Sequence, residues 1–266
     1  MTSPPPSSTR MRGSIRQQVC VWPGGILWIG LAGSAAPGSV HAHHAIQLSF
    51  GKDRELLFRH GAAGEWTGYH GSLIPANLPH AIDASDRPFA IIFVDPETPA
   101  GRSLRARAAA DRITRLDDAE ARAAADLLFG VAAESYDCAR LEPAARDVVQ
   151  RFAGPTPPHS MADPRVLGAI ELIRARLDGR VTLPDIAREL HVSPSRLRHL
   201  FVEEVGLPFR TYVLWQRLQR VIQDVGTERN LTHAALAAGF ADAAHMTRTF
   251  RRMVGFAPSM MERPSA

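Results

Sequence analysis

The sequence predicts an α+β protein in which a small β barrel precedes an all-α region with two helix-turn-helix motifs joined by a linker helix. Three observations support this fold class. Short apolar runs separated by Gly, Pro, Asn and Asp fill residues 19–95. Helix-forming residues dominate from Ser103 onwards. A helical motif that starts near Leu183 then recurs about 49 residues later.

The composition is that of a globular protein with a modest basic excess. The 266 residues allow two ordinary domains, and 45% hydrophobic with 22% charged residues excludes wholesale disorder. The formal net charge of +4 admits a phosphate-bearing partner but does not demonstrate one, because arginine-rich sequences also arise from genomic base composition. P-loop, Rossmann and serine-triad motifs are absent from the sequence, so most enzyme classes have no support and no cofactor is expected.

Two features bear on the cellular compartment. Cys20 and Cys138 are far apart and have neither a Cys-x2-Cys nor a zinc-binding spacing. We therefore expect no disulfide and interpret them as unpaired thiols of a reducing, cytoplasmic protein. The apolar stretch 26–36 follows three arginines, but glycines interrupt it and it is too short to span a bilayer. We interpret this stretch as a strand and expect no membrane partner.

Shifts in composition divide the chain into five segments. We expect a disordered tail (1–18), a β domain (19–100), a helical linker or dimerisation region (101–153), a Pro-rich linker (154–162) and a helical domain (163–262). Strands are predicted at 26–31, 45–50, 55–58, 72–74 and 89–94. Helices are predicted at 103–134 and at 142–152, the second beginning near Pro143.

The helical domain begins with a clear start signal and continues into a helix-turn-helix pattern. Asp163 is a good N-cap before a proline, and Gly179 is expected to end this first helix. A short helix at 183–190, a turn at His191 and a second helix capped by Ser193 follow. The second helix turns its apolar residues to the core and carries polar residues on the opposite face: Ser195, Arg196, Arg198 and His199.

That polar face alone would be interpreted as solvated surface, but the motif is repeated. Phe201-x3-Val-Gly206 recurs as Phe250-x3-Val-Gly255. In the second copy Asp242 is a good N-cap, and Gly239 suits a left-handed turn position. A long helix at 208–225 separates the copies, and it would set two recognition helices about 34 Å apart in successive major grooves.

These residues resemble the AraC/XylS family of bacterial regulators over roughly a hundred positions. The matching runs are Leu183-x2-Ile-Ala-x2-Leu, Ser193-Pro-Ser-Arg-Leu-x2-Leu-Phe-x4-Gly206 and Gly239-Phe-x-Asp-x4-Thr-Arg-x-Phe-x4-Gly255. The resemblance implies a transcription factor that binds double-stranded DNA and has RNA polymerase as a further partner. Base-contacting positions of the family carry over to Ser195, Arg196, Arg198 and His199, and to Ala243, Ala244, His245 and Arg248. Arg251 and Arg252 are expected to contact phosphates.

The N-terminal half resembles the cupin-like sensor domains of many AraC regulators. His41-x-His43-x3-Gln47 is similar to the first cupin metal motif, and the segment from Gly71 to His80 is similar to the second. Enzymatic cupins normally have glutamate where this chain has Gln47. The three histidines either ligate a divalent metal or line, with Gln47, a metal-free effector pocket, and we favour the metal-free pocket. His44 is expected as readily on the surface as among the ligands.

Three functions stay open at this point. The leading hypothesis is an AraC-type regulator that a small-molecule effector controls and that the helices of 103–152 join into a homodimer. The second is a metal-binding cupin enzyme fused to a DNA-binding domain. The third is a constitutive DNA-binding protein with a structural N-terminal domain. The sequence identifies neither the effector nor the operator.

Overall fold

The computed structural model describes residues 17–30, 38–85, 87–155, 163–225, 231–255 and 258. The predicted tail up to residue 16, the linker residues 156–162 and the C-terminal residues after 258 lie outside this described part. Within it, eight strands precede the first helix and one short strand follows it, as is compatible with the α+β class. None of the described helices has an apolar stretch sufficient to cross a bilayer.

The strands of the described residues form two antiparallel sheets. They are β1 (Gln17–Trp22), β2 (Gly25–Gly30), β3 (Ile46–Gly51), β4 (Leu56–His60), β5 (Thr67–Tyr69), β6 (Gly71–Ile74), β7 (His80–Asp83), β8 (Phe89–Val94) and β9 (Thr114–Arg115). One sheet has the order β1-β2-β8-β3-β6-β9, and the other has the order β5-β4-β7. The α+β class is confirmed, with two open sheets in place of one closed barrel.

Four strands were not expected from the sequence. β1 contains Gln17 and Gln18, where the composition predicts a disordered tail. The strand forms because it pairs with β2 along its whole length, which buries alternate residues. β5, β7 and β9 are only two to four residues long. Strands this short are held by their pairing partners and show no periodicity of their own.

The helices of the described residues fall into two groups. The first group is α1 (Pro99–Arg107), α2 (Asp118–Glu134) and α3 (Cys138–Ala153), and the second is α4 (Pro164–Arg174), α5 (Leu183–Glu189), α6 (Pro194–Val205), α7 (Phe209–Val225), α8 (Leu231–Ala237) and α9 (Ala243–Val254). The second group contains the predicted helix-turn-helix motifs, and its helices lie where the repeat places them.

Three predicted helix boundaries are wrong. The helix expected at 103–134 is two helices, because α1 ends at Arg107 and α2 begins only at Asp118. The Asp117 carboxylate caps α2 by accepting hydrogen bonds from backbone N–H groups of its first turn. The helix expected from Pro143 begins at Cys138 because Asp137 caps it, and the proline lies inside the helix. The helix that opens at Asp163 ends at Arg174, well before Gly179.

The larger sheet is buried on both faces, which explains its nearly continuous apolar strands. Leu27 and Ile92 belong to the apolar cluster that α2 and α3 complete. Their neighbours Trp28 and Phe93 belong to a second cluster, which includes β4 of the smaller sheet and the helices from α4 onwards. The β region and the C-terminal helices therefore share one apolar core.

A disulfide joins Cys20 of β1 to Cys138 at the start of α3, with the two Cα atoms 5.3 Å apart. The prediction of two unpaired thiols is wrong. The cysteines are separated by 118 positions, and only the packing of α3 against β1 brings them together. Spacing in the sequence contains no information about such a tertiary contact.

Replacing Cys138 by serine is expected to lower the free energy of unfolding by about 2–4 kcal/mol, because the cross-link restricts the unfolded chain over a long loop. Urea denaturation of the oxidised protein and of Cys138→Ser measures the difference. A reductant should reduce the stability of the wild type by a similar amount and leave the variant unchanged. Equal stability of the wild type with and without reductant would argue against the cross-link.

Candidate functional site

The first helix-turn-helix motif consists of α5 and α6, joined by a tight turn. His191 has a positive φ of 54°, and the Val192 N–H donates to the Ala187 carbonyl at 3.0 Å. The Ser193 hydroxyl then accepts from the Arg196 N–H at 3.2 Å and caps α6, as predicted. This turn fixes the angle at which α6 leaves α5.

The second motif, α8 and α9, repeats the same backbone pattern. Gly239 has a φ of +82°, and the Phe240 N–H donates to the Ala235 carbonyl at 2.9 Å. The Asp242 carboxylate accepts from the His245 N–H at 2.6 Å and caps α9. α6 and α9 each end at a left-handed glycine. The sequence repeat is therefore a structural repeat, with Gly239 at the position of His191.

Both second helices present a polar face to solvent. Their apolar residues, such as Leu197 and Phe201 in α6 and Met246 and Phe250 in α9, are buried. Most of the predicted DNA-contacting residues are exposed: Ser195, Arg196, Arg198, His199, Ala244, Arg248, Arg251 and Arg252. His245 is half-buried against the Phe240 ring, and Ala243 packs at the edge of the core. We call the exposed set together with His245 the recognition face.

The arginines of the recognition face are available for contacts outside the protein, although Arg196 lies close enough to Asp163 to help lower the pKa of that carboxyl group. Among the residues that the structure describes, none of the five forms an ion pair, although other surface arginines such as Arg176 and Arg188 do. Their guanidinium groups are therefore free to bind phosphate oxygens or base edges.

The linker helix α7 connects the two motifs. Tyr212, Trp215, Leu218 and Ile222 lie in the core, as their helical spacing predicts. Arg217 reaches back to the turn that follows α4, where it donates to the carbonyls of Leu177 at 3.2 Å and Gly179 at 2.8 Å. The spacing of α6 and α9 is thus set by a packed helix and not by a loose tether.

The N-terminal histidines converge on one buried site. His41, His43 and His80 each offer one ligand nitrogen, and these atoms lie within 4.8 Å of one another. The side chain of Gln47 is also buried, with Oε1 2.9 Å from His43 Nε2 and Nε2 donating to Ser49 Oγ at 2.8 Å. We call His41, His43 and His80 the histidine cluster.

Each ring of the histidine cluster is oriented by a backbone carbonyl. The Nδ1 atoms lie 2.8–2.9 Å from the carbonyl oxygens of Ser39, Ala45 and Leu78 respectively. Burial lowers the pKa of all three imidazoles, that of His43 to about 4. The three rings are therefore neutral at pH 7.

His44 is neither exposed nor part of the cluster. Its ring is buried, and its Nε2 pairs with the Glu97 carboxylate. The ring also lies edge-on to Tyr212 and Trp215 of α7. His44 therefore contributes to the contact between the β region and the linker helix.

A buried carboxylate that the sequence analysis missed connects the β region to the C-terminal helices. Asp95, directly after β8, is 1% exposed and accepts from Trp215 Nε1 at 3.2 Å, Gln219 Nε2 at 2.7 Å and Arg174 Nη2 at 3.1 Å. Burial and then the nearby Glu97 carboxylate raise the pKa of Asp95, while Arg174 opposes them. In the sequence, this residue resembles any turn residue that ends a strand.

Loops that carry the histidine cluster also reach the C-terminal ends of both recognition helices. Ser39 donates to the Gly255 carbonyl through its backbone N–H at 3.3 Å and its hydroxyl at 2.8 Å. The His41 ring packs directly against Gly255 and leaves no room there for a Cβ. The Asn77 amide approaches Gly206 at the end of α6. The cluster is therefore in contact with the DNA-binding region, not isolated from it.

Comparison with known proteins identifies the C-terminal part. A family model described as a helix-turn-helix domain matches residues 186–263. The arabinose operon regulatory protein of Salmonella typhimurium is 29% identical over 106 residues, which are 38% of this chain and 37% of that protein. The transcriptional activator RhrA of Rhizobium meliloti is 30% identical over 92 residues, or 34% and 29% of the two chains. The match thus covers about a third of these relatives.

Solved structures resemble this chain over most of its length. ToxT from Vibrio cholerae O395 superposes with a TM-score of 0.54 at 12% identity, covering 94% of this chain and 97% of that chain. ToxT of strain SCE256 with a bound unsaturated fatty acid has a TM-score of 0.53 at 12% identity, covering 94% and 95%. At this identity the likeness shows a common fold, with a β-rich N-terminal region before the helix-turn-helix helices.

Proposed function

We propose that the protein is a sequence-specific DNA-binding transcription regulator of the AraC type, because its C-terminal part matches a helix-turn-helix family model and is similar to the arabinose operon regulatory protein. The observation that carries the proposal is the repeated motif. Two turns with the same hydrogen-bond pattern each hold a capped helix whose exposed side is polar and arginine-rich. A rigid helix between them allows both to contact one duplex.

The residues of the recognition face divide by the kind of contact they suit. Arg198 and Arg248 can each give two hydrogen bonds to guanine, and Ser195, Arg196, His199 and His245 offer further hydrogen bonds to base edges. Ala244, and Ala243 beside the recognition face, suit apolar contact with thymine methyl groups. Arg251 and Arg252, in the last turn of α9, suit phosphates, which position the protein without specifying sequence.

The N-terminal region is the proposed site of control. A structural relative, ToxT, has been solved with an unsaturated fatty acid, which supports an effector site in a fold of this kind. An effector bound among His41, His43, Gln47 and His80 would shift the population of DNA-competent arrangements, because the loop that holds His41 contacts Gly255 at the end of α9. We further propose that the protein forms homodimers through the helices of 101–153, contacts RNA polymerase and is cytoplasmic. The DNA-binding function supports this location, whereas the Cys20–Cys138 disulfide removes the argument from unpaired thiols.

An enzymatic role is the second candidate, and the histidine cluster is the observation in its favour. Three buried imidazoles suit a catalytic metal as well as a sensory one. The matched relatives are regulators, and Gln47 occupies the place of the acidic ligand expected in a cupin enzyme. We therefore favour regulation over catalysis.

Selection from random double-stranded DNA with the full chain at low salt tests the proposed function. We expect enrichment of a sequence with two half-sites about one helical turn apart. The variant Arg198→Ala/Arg248→Ala should enrich nothing above background. The control Lys52→Ala/Arg54→Ala, which removes the same charge from exposed positions of the β region, should select the wild-type sequence. Absence of any enriched sequence with the wild type would contradict the proposal.

A further inference from the structure

We propose that His41, His43 and His80 bind a divalent transition-metal ion and that this ion is the effector to which the regulator responds. The metal site stands on the geometry of the histidine cluster alone. The role of the ion as effector also rests on the proposed DNA-binding function.

The backbone prepares the three rings as ligands. A carbonyl oxygen can only accept, so each Nδ1 in contact with a carbonyl carries the ring's proton. In a neutral imidazole this leaves Nε2 with a free electron pair. Carbonyls that hold the far nitrogen in this way are the usual outer partners of metal-bound histidines, because they fix both the tautomer and the ring orientation.

Of the remaining nitrogens, that of His80 has no partner and that of His43 has a mismatched partner among the described residues. His80 is fully buried, and its Nε2 has no hydrogen-bond partner among the described residues. His43 Nε2 faces an oxygen of Gln47 at 2.9 Å, so two acceptors meet. Rotating the Gln47 amide would satisfy His43 but would leave His80 unpaired. A cation in the cluster satisfies both rings, since each Nε2 then donates its electron pair to the metal.

The ligand set selects the kind of ion. Imidazole nitrogen suits Zn²⁺ and the neighbouring divalent transition metals, whereas Mg²⁺ and Ca²⁺ prefer oxygen. Three histidines leave a fourth position for the Gln47 oxygen or water. Zinc–nitrogen bonds of about 2.1 Å place tetrahedral ligands about 3.4 Å apart. The nitrogens span up to 4.8 Å here, so binding must draw the rings together.

That contraction would reach the DNA-binding region by two routes. The His41 ring touches Gly255 at the end of α9, and the adjacent Ser39 hydroxyl holds the Gly255 carbonyl. The His43 ring stacks on Trp215 of the linker helix, with 6.4 Å between centroids and 29° between planes. A metal that moves these rings therefore moves groups in direct contact with α9 and α7.

The metal site is tested on tag-free, full-length protein. We expect Zn²⁺ calorimetry to give one equivalent per chain, and Co²⁺ to give the visible absorption bands of a nitrogen-ligated ion. His80→Ala should lower Zn²⁺ affinity by more than the roughly 10–100-fold typical of losing an outer partner. His70→Ala, which removes an imidazole of the β region outside the cluster, should retain one equivalent. Wild type that binds neither ion saturably overturns the site, whatever the variants do.

The regulatory part is tested with the DNA sequence that selection yields. We expect Zn²⁺ to change the wild-type Kd at least about 5-fold, and to have no effect on His80→Ala. In His70→Ala the response should persist. One bound equivalent with an unchanged Kd would overturn the effector role. If no DNA sequence is bound with or without Zn²⁺, the proposed function fails instead, and the metal titration still decides the site.

Discussion

Replacing Gly239 by valine is expected to disrupt the second helix-turn-helix motif and to abolish sequence-specific DNA binding. The backbone at this turn has a φ of +82°, a conformation that β-branched residues strongly disfavour. An added side chain would also meet the Leu177 carbonyl and the Arg217 guanidinium, whose Nε would lie 2.8 Å from the new Cβ. Backbone strain and overpacking together predict a loss of about 2–5 kcal/mol in stability.

Denaturant unfolding and binding to the selected DNA measure this effect, and Gly130→Val is the matched control. Gly130 is an exposed helical residue of α2, and nothing lies within 4 Å of a Cβ added there. The control should unfold and bind as the wild type does. If Gly239→Val also did so, the left-handed turn would not be needed to position α9.

Replacing Arg248 by alanine is expected to weaken binding to the selected sequence by about 1–3 kcal/mol and to relax the preference at one base position. Arg248 is exposed and forms no ion pair among the described residues, so its loss should leave stability unchanged. The expected loss is that of a bidentate contact with guanine. Competition assays against sequences altered at single positions would identify the base concerned.

Arg252→Ala provides the comparison, since we propose that Arg252 contacts a DNA phosphate. This variant should bind every sequence more weakly by a similar factor. It should also reduce the magnitude of the slope of log K against log salt concentration by about one. An Arg248→Ala variant with wild-type affinity for all sequences would refute base readout by this residue. A variant that loses affinity uniformly would assign Arg248 to the phosphate backbone as well.

The C-terminal helices could be predicted from sequence because their signals are local. Ser193 and Asp242 cap helices that start one residue later, and Gly239 marks a turn by its own backbone freedom. The repeat added independent support, since core positions such as Phe201 and Phe250 had to match. Each of these inferences depends on residues within a few positions of one another.

The starts of α2 and α3 were missed although Asp117 and Asp137 are local caps, but the other missed features depend on tertiary contacts. The disulfide joins residues 118 positions apart, and Asp95 meets Gln219 across 124 positions. β1 exists because β2 pairs with it, and β9 because β6 does. The convergence of His41, His43 and His80 was anticipated only through a family resemblance, as no local pattern shows that two loops will meet.

The Asp95 contact has a consequence for how the two regions separate. Separating two apolar surfaces is unfavourable because both become exposed to water. A carboxylate released from burial regains its hydration instead, and this offsets part of the free energy of the lost hydrogen bonds. All three donors to Asp95 belong to α4 and α7, so they leave together. Besides their shared apolar core, the sheet and the DNA-binding helices are thus joined by a directional polar contact that water can replace. Its three hydrogen bonds would break together and re-form in the same orientation.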